Sequence, residues 1–351
     1  MDLIIKPTEA CNFKCTFCSS TSIDPSKAGL LDLDYIYKFL KRYPETQTII
    51  VNGGDPLMVD PEYYWKLIAH LEEHDYEADI SFTTNLWPFY VKPEKWVDLF
   101  NHERMGIATS FQYGGGRLKG DFTEFTEEDF WKVSDAMLKY CGERPPFIAV
   151  ITEMNDYRAI DNVLLAKEMD VDCKLNYAMA SGVQGSTYRL SKIYETYVEI
   201  YNRGLHPWEF NTRQMMGRLQ GLGTSCPQNR FCDGGIRAFN PGGDYYSCGS
   251  FGDDMDFPID FEKEMAGEFI TPLRNVPEIQ SMKQACWTCP MFDICNGCKK
   301  TVRDMKREGT VEAHCKHMKT LAPRILEING LDPNKVTPYV DETESIPLVS
   351  V

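Results

Sequence analysis

No segment of this chain approaches the roughly 18 consecutive apolar residues that a membrane-spanning helix needs. Its amino terminus, Met1-Asp2-Leu3-Ile4-Ile5-Lys6, also lacks an apolar run of the kind that directs secretion. These two absences argue against a helical membrane protein or a secreted one and predict a soluble, cytoplasmic protein. Positive charge is in deficit too: 37 Lys and Arg stand against 52 Asp and Glu, a formal net charge of −15. Generic nucleic-acid binding, which wants a basic face, is thereby disfavoured. One local exception runs from Lys299 to Arg324, where Lys299, Lys300, Arg303, Lys306, Arg307, Lys316, Lys319 and Arg324 face only Asp304, Glu308 and Glu312. A solvated helix surface is the expectation there. Apolar residues make up 43% of the 351-residue chain, ample for one large domain plus an appendage. Cysteine is not scarce either: 13 in a reducing compartment read as metal ligands and buried thiols rather than disulfides.

The first part of the chain alternates short β-branched runs with amphipathic helical stretches, the pattern of a parallel sheet with crossover helices. Strands are predicted near Leu3 to Lys6, Thr48 to Val51, Asp79 to Thr83, Gly106 to Phe111, Phe147 to Ile151 and Cys173 to Tyr177. Helices are predicted over Leu33 to Arg42, Glu62 to His74, Pro93 to Phe100, Glu127 to Tyr140 and Tyr157 to Glu168. Chemistry in such folds gathers beyond the carboxyl ends of the strands. The informative residues fall there, with a three-cysteine loop after the first strand and Asn52-Gly53-Gly54-Asp55-Pro56 after the second.

That loop reads Glu9-Ala10-Cys11-Asn12-Phe13-Lys14-Cys15-Thr16-Phe17-Cys18, three thiolates where a four-iron cluster needs four ligands. An iron left open can bind a small molecule and pass an electron into it. A zinc loop is the other common use of a cysteine triplet. The C-x-x-x-C-x-x-C spacing, with the aromatic Phe17 just before the last cysteine, resembles the signature of radical S-adenosylmethionine (SAM) enzymes. The resemblance implies an α/β fold, an open six-unit β/α barrel, in which the open iron chelates the amino and carboxylate groups of SAM. Reductive cleavage then gives a 5′-deoxyadenosyl radical. Gly53-Gly54-Asp55-Pro56 resembles the superfamily's Gly-Gly-Glu-Pro motif, implying a backbone that approaches the SAM amino group, with Asp55 in place of the usual glutamate. Weaker matches stand at later strand ends: Thr84 with Asn85, Ser110 with Gln112, and Asn155, whose position also suits a plain helix N-cap. Tyr177 and Ala180-Ser181-Gly182 fall where related enzymes dock the adenine.

The carboxyl-terminal third holds eight further cysteines: Cys226, Cys232, Cys248, Cys286, Cys289, Cys295, Cys298 and Cys315. Asn240-Pro241-Gly242-Gly243-Asp244 predicts a hairpin turn between Ile236 to Phe239 and Tyr245 to Ser247. The later cysteine run resembles the SPASM domain, which binds two auxiliary [4Fe-4S] clusters. Carried over in order, Cys226, Cys232, Cys248 and Cys298 hold the first, and Cys286, Cys289, Cys295 and Cys315 the second. Cys295 and Cys298 are separated by two residues where the family more often has three, which loosens the assignment of Cys298. A zinc site on Cys286, Cys289, Cys295 and Cys298 is the rival. Cys141 and Cys173 are left over as buried thiols. The expected organisation is a partial barrel over 1–215, a SPASM domain over 216–328 and an extended or disordered tail over 329–351.

The resemblance implies an enzyme carrying three [4Fe-4S] clusters and SAM, fed by an external electron donor such as flavodoxin or ferredoxin. SPASM enzymes commonly oxidise or crosslink peptide or protein side chains, and a few oxidise small carbinols. Sulfatase maturases carry an acidic residue directly after the third auxiliary cysteine, where this chain has Gly249, so that activity is disfavoured. With Cys11 so near the start, a leader-binding domain has no room before the barrel, and a peptide substrate implies a separate recognition protein or direct recognition. The alternatives are a dehydrogenase or isomerase of a small molecule or nucleoside, and a non-enzymatic iron–sulfur electron carrier. The carrier wants every cluster closed and is opposed by the three-cysteine loop.

Overall fold

Six short strands follow one another as the β-branched runs predict: β1 (Asp2–Ile5), β2 (Thr48–Val51), β3 (Asp79–Thr83), β4 (Met105–Ser110), β5 (Phe147–Ile151) and β6 (Cys173–Tyr177). The computed structural model describes residues 1–20, 29–185, 188, 190–220, 232–268, 270, 277, 281 and 298–332. Crossovers carry α1 (Leu33–Arg42), α2 (Pro61–Glu73), α3 (Trp87–Val91), α4 (Val97–Phe100), α5 (Glu127–Cys141) and α6 (Ala159–Met169). Side chains at the N-caps fix where the longer helices begin. Asp32 accepts from the Asp34 N–H, Asp60 from the Glu62 N–H, and Thr126 forms a reciprocal capping box with Asp129.

These strands pair in parallel in the order β6-β5-β4-β3-β2-β1. The sheet then continues. After α7 (Leu190–Asn202), α8 (Phe210–Leu219) and the one-turn α9 (Cys232–Gly235), strand β7 (Ile236–Phe239) lies parallel to β1, pairing Leu3 with Arg237. Strand β8 (Tyr245–Tyr246) returns antiparallel to it. The predicted hairpin therefore exists and extends the eight-stranded sheet at its β1 edge. Its turn needs glycine: Gly243 has φ +87°, and a Cβ there would lie 2.5 Å from the Tyr35 ring.

One face of the sheet is closed by the helices. Leu3, Ile5, Ile49, Val51, Ile80 and Phe82 are fully buried, and Tyr64 of α2 packs edge-on against Phe82 at 4.5 Å between centroids. The alternate residues Ile4, Ile50, Ser81, Ser110, Lys174 and Asn176 are only part-buried. A buried ion pair, Arg237 to Glu264 of α11 (Phe261–Met265), ties β7 to that helix, and the Tyr43 hydroxyl donates to Glu264 at 2.6 Å.

The chain forms two compact units: Met1–Tyr188 with Pro207–Phe210 and Phe231–Pro272, and Arg189–His206 with Asn211–Arg230 and Leu273–Val351. The second contains α7, α12 (Lys299–Arg307) and α13 (Val311–Ile328). Arg324 of α13 donates to the Asn202 side chain at 3.2 Å. Here one expectation holds only in part: Arg307, Lys316, Lys319 and Arg324 are exposed as a solvated surface requires, but the start of the strip is not. Lys299, Lys300 and Arg303 are buried rather than solvated, and Asp304, buried with them, accepts from both Lys300 and Arg303 and offsets one of their two positive charges. Among the described residues no helix is long and apolar enough to cross a membrane.

Candidate active site

The three-cysteine loop is held on three sides by the ends of other strands. After β2, the Gly54 N–H donates to the Thr8 carbonyl at 2.9 Å and the Asp55 N–H to the Ala10 carbonyl at 2.8 Å. After β4, the Gly116 and Leu118 carbonyls accept from the Thr16 and Lys14 N–H groups, both at 2.8 Å. After β6, the Val183 N–H donates to the Cys18 carbonyl at 3.2 Å. The glycine pair after β2 thus has a structural cause: a Cβ on Gly54 would lie 2.1 Å from the Ala10 carbonyl oxygen, and one on Gly53, at φ +103°, 2.6 Å from that of Thr8.

Within the loop, the Phe13 N–H donates to the Cys11 sulfur at 3.3 Å. Burial pushes the Cys11 thiol up to about 12, with the Asp55 carboxylate adding to the shift, and burial raises the Cys18 thiol too. Thiolates in this loop therefore need cationic charge bound directly to them, which an iron–sulfur cluster supplies. The donor set fits: three soft, part-buried sulfurs on one short loop, with a backbone N–H aimed at one of them. Among the described residues no three His, Cys, Asp or Glu side chains converge on a single metal-ion position. A cubane places each thiolate on a different iron and does not require that convergence.

Arg117 is the residue that sequence reasoning missed. Its guanidinium is fully buried, and burial pulls its pKa down against the opposing pull of Cys15, Cys11, Cys18 and Asp55. Gln112 Oε1 accepts from its Nε at 3.1 Å and its Nη2 at 2.7 Å, and Ser110 Oγ accepts from its Nη1 at 2.9 Å. One N–H on each terminal nitrogen remains without a partner among the described residues. The guanidinium also sits over the half-buried Phe17 ring, 5.3 Å from its centroid. A sequence signal was available: Gly114, Gly115 and Gly116 precede it, all at positive φ, and a Cβ on Gly116 would lie 2.7 Å from Thr16 Oγ1. Ser110 and Gln112, predicted to face SAM directly, hold this arginine in place.

Asp55 is fully buried, and its side chain spans two strand ends. It accepts from the Leu57 N–H at 2.9 Å, the Asn85 N–H at 2.9 Å and the Thr84 hydroxyl at 2.9 and 3.1 Å. Asn85 in turn donates through Nδ2 to Asn12 of the cysteine loop at 2.7 Å, and the carbonyl of Pro56 accepts from the Tyr64 hydroxyl at 2.8 Å. Desolvation pushes the Asp55 carboxyl up to about 6, against the hydrogen bonds that lower it. A raised folded-state value means that its stabilising share is complete below the ordinary aspartate value of 3.8 and is lost as pH rises through about 6. Asp55 alone is therefore expected to make the protein about 1 kcal/mol less stable at pH 7 than at pH 5. Urea denaturation of Asp55→Asn at the two pH values should show that difference reduced; an unchanged difference would assign it to other groups.

Asn155 occupies an N-cap position, but its side chain caps nothing. Its Oδ1 accepts from the Thr152 N–H at 2.7 Å, and its Nδ2 donates to the carbonyls of Val150 at 3.0 Å and Tyr113 at 3.3 Å. It fastens the loop after β4 to the end of β5. Tyr177, at the end of β6, stacks on Tyr188 with centroids 5.4 Å apart. Gly182 presses on the Cys18 and Ser19 carbonyls, both 2.5 Å from where its Cβ would stand.

A second polar group borders the loop on the Cys18 side. Lys6, just past β1, pairs with Asp253 of α10 (Gly249–Asp254), and Ser20 Oγ donates to the same Asp253 oxygen at 3.2 Å. Glu9 lies near both, and burial pushes its carboxyl up to about 7.

Of the auxiliary cysteines, Cys226, Cys286, Cys289 and Cys295 lie outside the described residues, as does nearly all of the expected tail. Cys232 opens α9, Cys248 precedes α10, Cys298 precedes α12, and Cys315 is exposed on α13. Cys173 is buried as expected, whereas Cys141, the last residue of α5, is only part-buried.

Residues 5–140 match the model of the radical SAM superfamily, a span that includes the cysteine loop, the glycine pair, Asp55 and Arg117. This part of the chain is a radical SAM domain. No curated protein matches the chain by sequence. Among solved structures, native anSMEcpe with bound AdoMet (SAM) is similar over 94% of this chain and 99% of its own, at 18% identity and a TM-score of 0.68. The same protein with AdoMet and Kp18Cys peptide gives a TM-score of 0.67 at 18% identity, with the same coverage. Streptococcus suis SuiB bound to precursor peptide SuiA is similar over 85% of this chain and 71% of its own, at 15% identity and a TM-score of 0.53. At these identities the likeness is one of fold.

Proposed function

We propose that this protein is a radical SAM enzyme that removes a hydrogen from a peptide or protein side chain and thereby oxidises or crosslinks it. The observation that carries this reading is the cysteine loop set against the fully buried Arg117. Cys11, Cys15 and Cys18 would hold a [4Fe-4S] cluster through three thiolates, which would leave one iron for SAM. When bound, cluster and SAM together supply an electron and a 5′-deoxyadenosyl radical.

The remaining work belongs to the chain. Arg117, fixed by Gln112 and Ser110, offers its two open N–H groups to the SAM carboxylate. The backbone at Gly53 and Gly54 and the Asp55 network hold the loop in register, so that the thiols do not move apart when the cluster's charge changes. Tyr177, the last residue of β6, supplies an aromatic surface for the adenine. The eight later cysteines would hold two auxiliary clusters in a SPASM-type domain, which would supply an acceptor for the electron left on the substrate. Two similar folds, anSMEcpe and SuiB, hold peptides in their crystals, which favours a peptide substrate over a small molecule.

The test is anaerobic incubation of the reconstituted, reduced protein with SAM and deuterated candidate peptides. Deuterium in 5′-deoxyadenosine and a product two hydrogens lighter are expected. A product of unchanged mass would replace oxidation by isomerisation, and no 5′-deoxyadenosine at all would end the proposal. Arg117→Lys keeps the charge but loses the planar pair of donors, and SAM affinity by equilibrium dialysis is expected to fall roughly tenfold or more. Unchanged affinity would remove Arg117 from the SAM site.

A further inference from the structure

Arg117 lies directly opposite Cys15, a placement that holding the SAM carboxylate does not by itself call for. Phe13 and Lys119 form an antiparallel bridge, and its register continues as the Lys14 N–H donates to the Leu118 carbonyl and the Thr16 N–H to the Gly116 carbonyl, both at 2.8 Å. Cys15 and Arg117 sit between those two bonded pairs. In an antiparallel ladder that is where opposed side chains share a face and approach most closely. The guanidinium then turns over the ring of Phe17, the residue before Cys18. A buried cation needs a counter-charge. Its hydrogen bonds do not supply one, since Gln112 Oε1 and Ser110 Oγ are neutral acceptors. Asp55 takes its hydrogen bonds from Leu57, Thr84 and Asn85, and it acts on the guanidinium less than any of the three thiols. The sulfurs of Cys15, Cys11 and Cys18 remain, and as cluster ligands they carry negative charge.

We propose that Arg117, opposite Cys15, is the built-in counter-charge of the loop's iron–sulfur cluster and raises the potential at which that cluster accepts an electron. The proposal rests on the function proposed above and adds a second role for the same residue: Arg117 acts on the cluster before SAM arrives, while its two open N–H groups serve SAM. The reduced cluster is more negative than the oxidised one by one electron, which comes from the external donor. A fixed cation beside it therefore favours the reduced form, and burial leaves little water to screen the attraction. No bond or proton changes at the arginine itself. Once the SAM carboxylate rests on the guanidinium it offsets part of the positive charge, so the effect is largest in the absence of SAM.

The experiment is a mediated redox titration of the reconstituted full-length protein without SAM, followed by low-temperature EPR. The signal that disappears when Cys11, Cys15 and Cys18 are all replaced by alanine identifies the loop's cluster. In Arg117→Gln the ratio of reduced to oxidised cluster at a fixed applied potential is expected to fall about tenfold, a downward shift of about 59 mV for one electron. Arg117→Lys keeps the charge, and its ratio should fall less than about threefold. Gln112→Glu keeps the arginine but sets a carboxylate where Gln112 Oε1 accepts from Nε and Nη2, and its ratio should fall about threefold or more. Arg144→Gln removes a part-exposed arginine paired with Asp135 and should leave the ratio within about twofold. Ratios unchanged in both Arg117→Gln and Gln112→Glu overturn the proposal; where Arg117→Gln does not retain its cluster, Gln112→Glu alone decides. An equal fall in Arg117→Lys and Arg117→Gln also overturns it, since charge would then not be the cause. No signal lost in the triple alanine variant overturns both this proposal and the proposed function. Shifted potentials in a protein that forms no 5′-deoxyadenosine would instead keep the counter-charge and remove the reaction.

Discussion

Replacing Cys11, Cys15 and Cys18 together by alanine is expected to lower the iron content from about twelve, the number that the proposed three clusters would hold, to about eight, and to abolish 5′-deoxyadenosine formation entirely. The two losses have one cause. The three thiols sit on one short loop, and with Phe13 N–H donating to the Cys11 sulfur the loop is organised around them. Cys15→Ala alone should abolish SAM cleavage, because two thiolates leave the electron-delivering site incomplete. Iron and sulfide determination on the anaerobically reconstituted proteins, with chromatography of 5′-deoxyadenosine, decides the matter. Full SAM cleavage by Cys15→Ala would falsify the assignment of the loop. About four irons in the unaltered protein, accompanied by zinc, would leave the loop intact and remove the auxiliary clusters.

Gly54→Val should act on the fold of the site before it acts on SAM. Its Cβ would stand 2.1 Å from the Ala10 carbonyl oxygen and 2.5 Å from the Glu9 carbonyl carbon, and both are backbone that cannot swing aside. The two strand-end loops must separate, breaking the bonds from Gly54 to Thr8 and from Asp55 to Ala10. A loss of about 3 kcal/mol is expected, together with reduced iron occupancy of the three-cysteine site. Gly29→Ala is the matched control: no described residue lies within 4 Å of its Cβ position, so stability should stay within about 0.5 kcal/mol. Normal stability and iron content in Gly54→Val, with only SAM affinity reduced, would mean that this glycine serves the ligand rather than the loop.

Much of the sheet could be read along the chain because its signals are local. Thr48 to Val51 and Phe147 to Ile151 are runs of β-branched and apolar residues, and Asp32, Asp60 and Thr126 announce helices through their own side-chain caps. Cysteine spacing is equally local, so the three-thiol loop and its family could be recognised without coordinates. The roles of Ser110, Gln112 and Asn155 could not. Each was placed correctly at a strand end, yet what it touches, Arg117 in two cases and the loop after β4 in the third, is set by chain folded back from elsewhere.

The sequence by itself determined the order of strands and helices, the position of the cysteine loop after β1 and the glycine turn after β2, since each follows from the preferences of a few adjacent residues. Only the tertiary structure decided that β7 would pair with β1, that Lys300 and Arg303 would be buried, and that Gly54 would press on the loop carrying Cys11. The charge environment of the site was decided there too. Whether an arginine is a solvated surface charge or a buried one among thiols, and whether a glutamate is paired or alone, depends on partners distant in sequence. Burial makes those partners matter, because a charge removed from water must find its compensation in whatever the fold brings beside it.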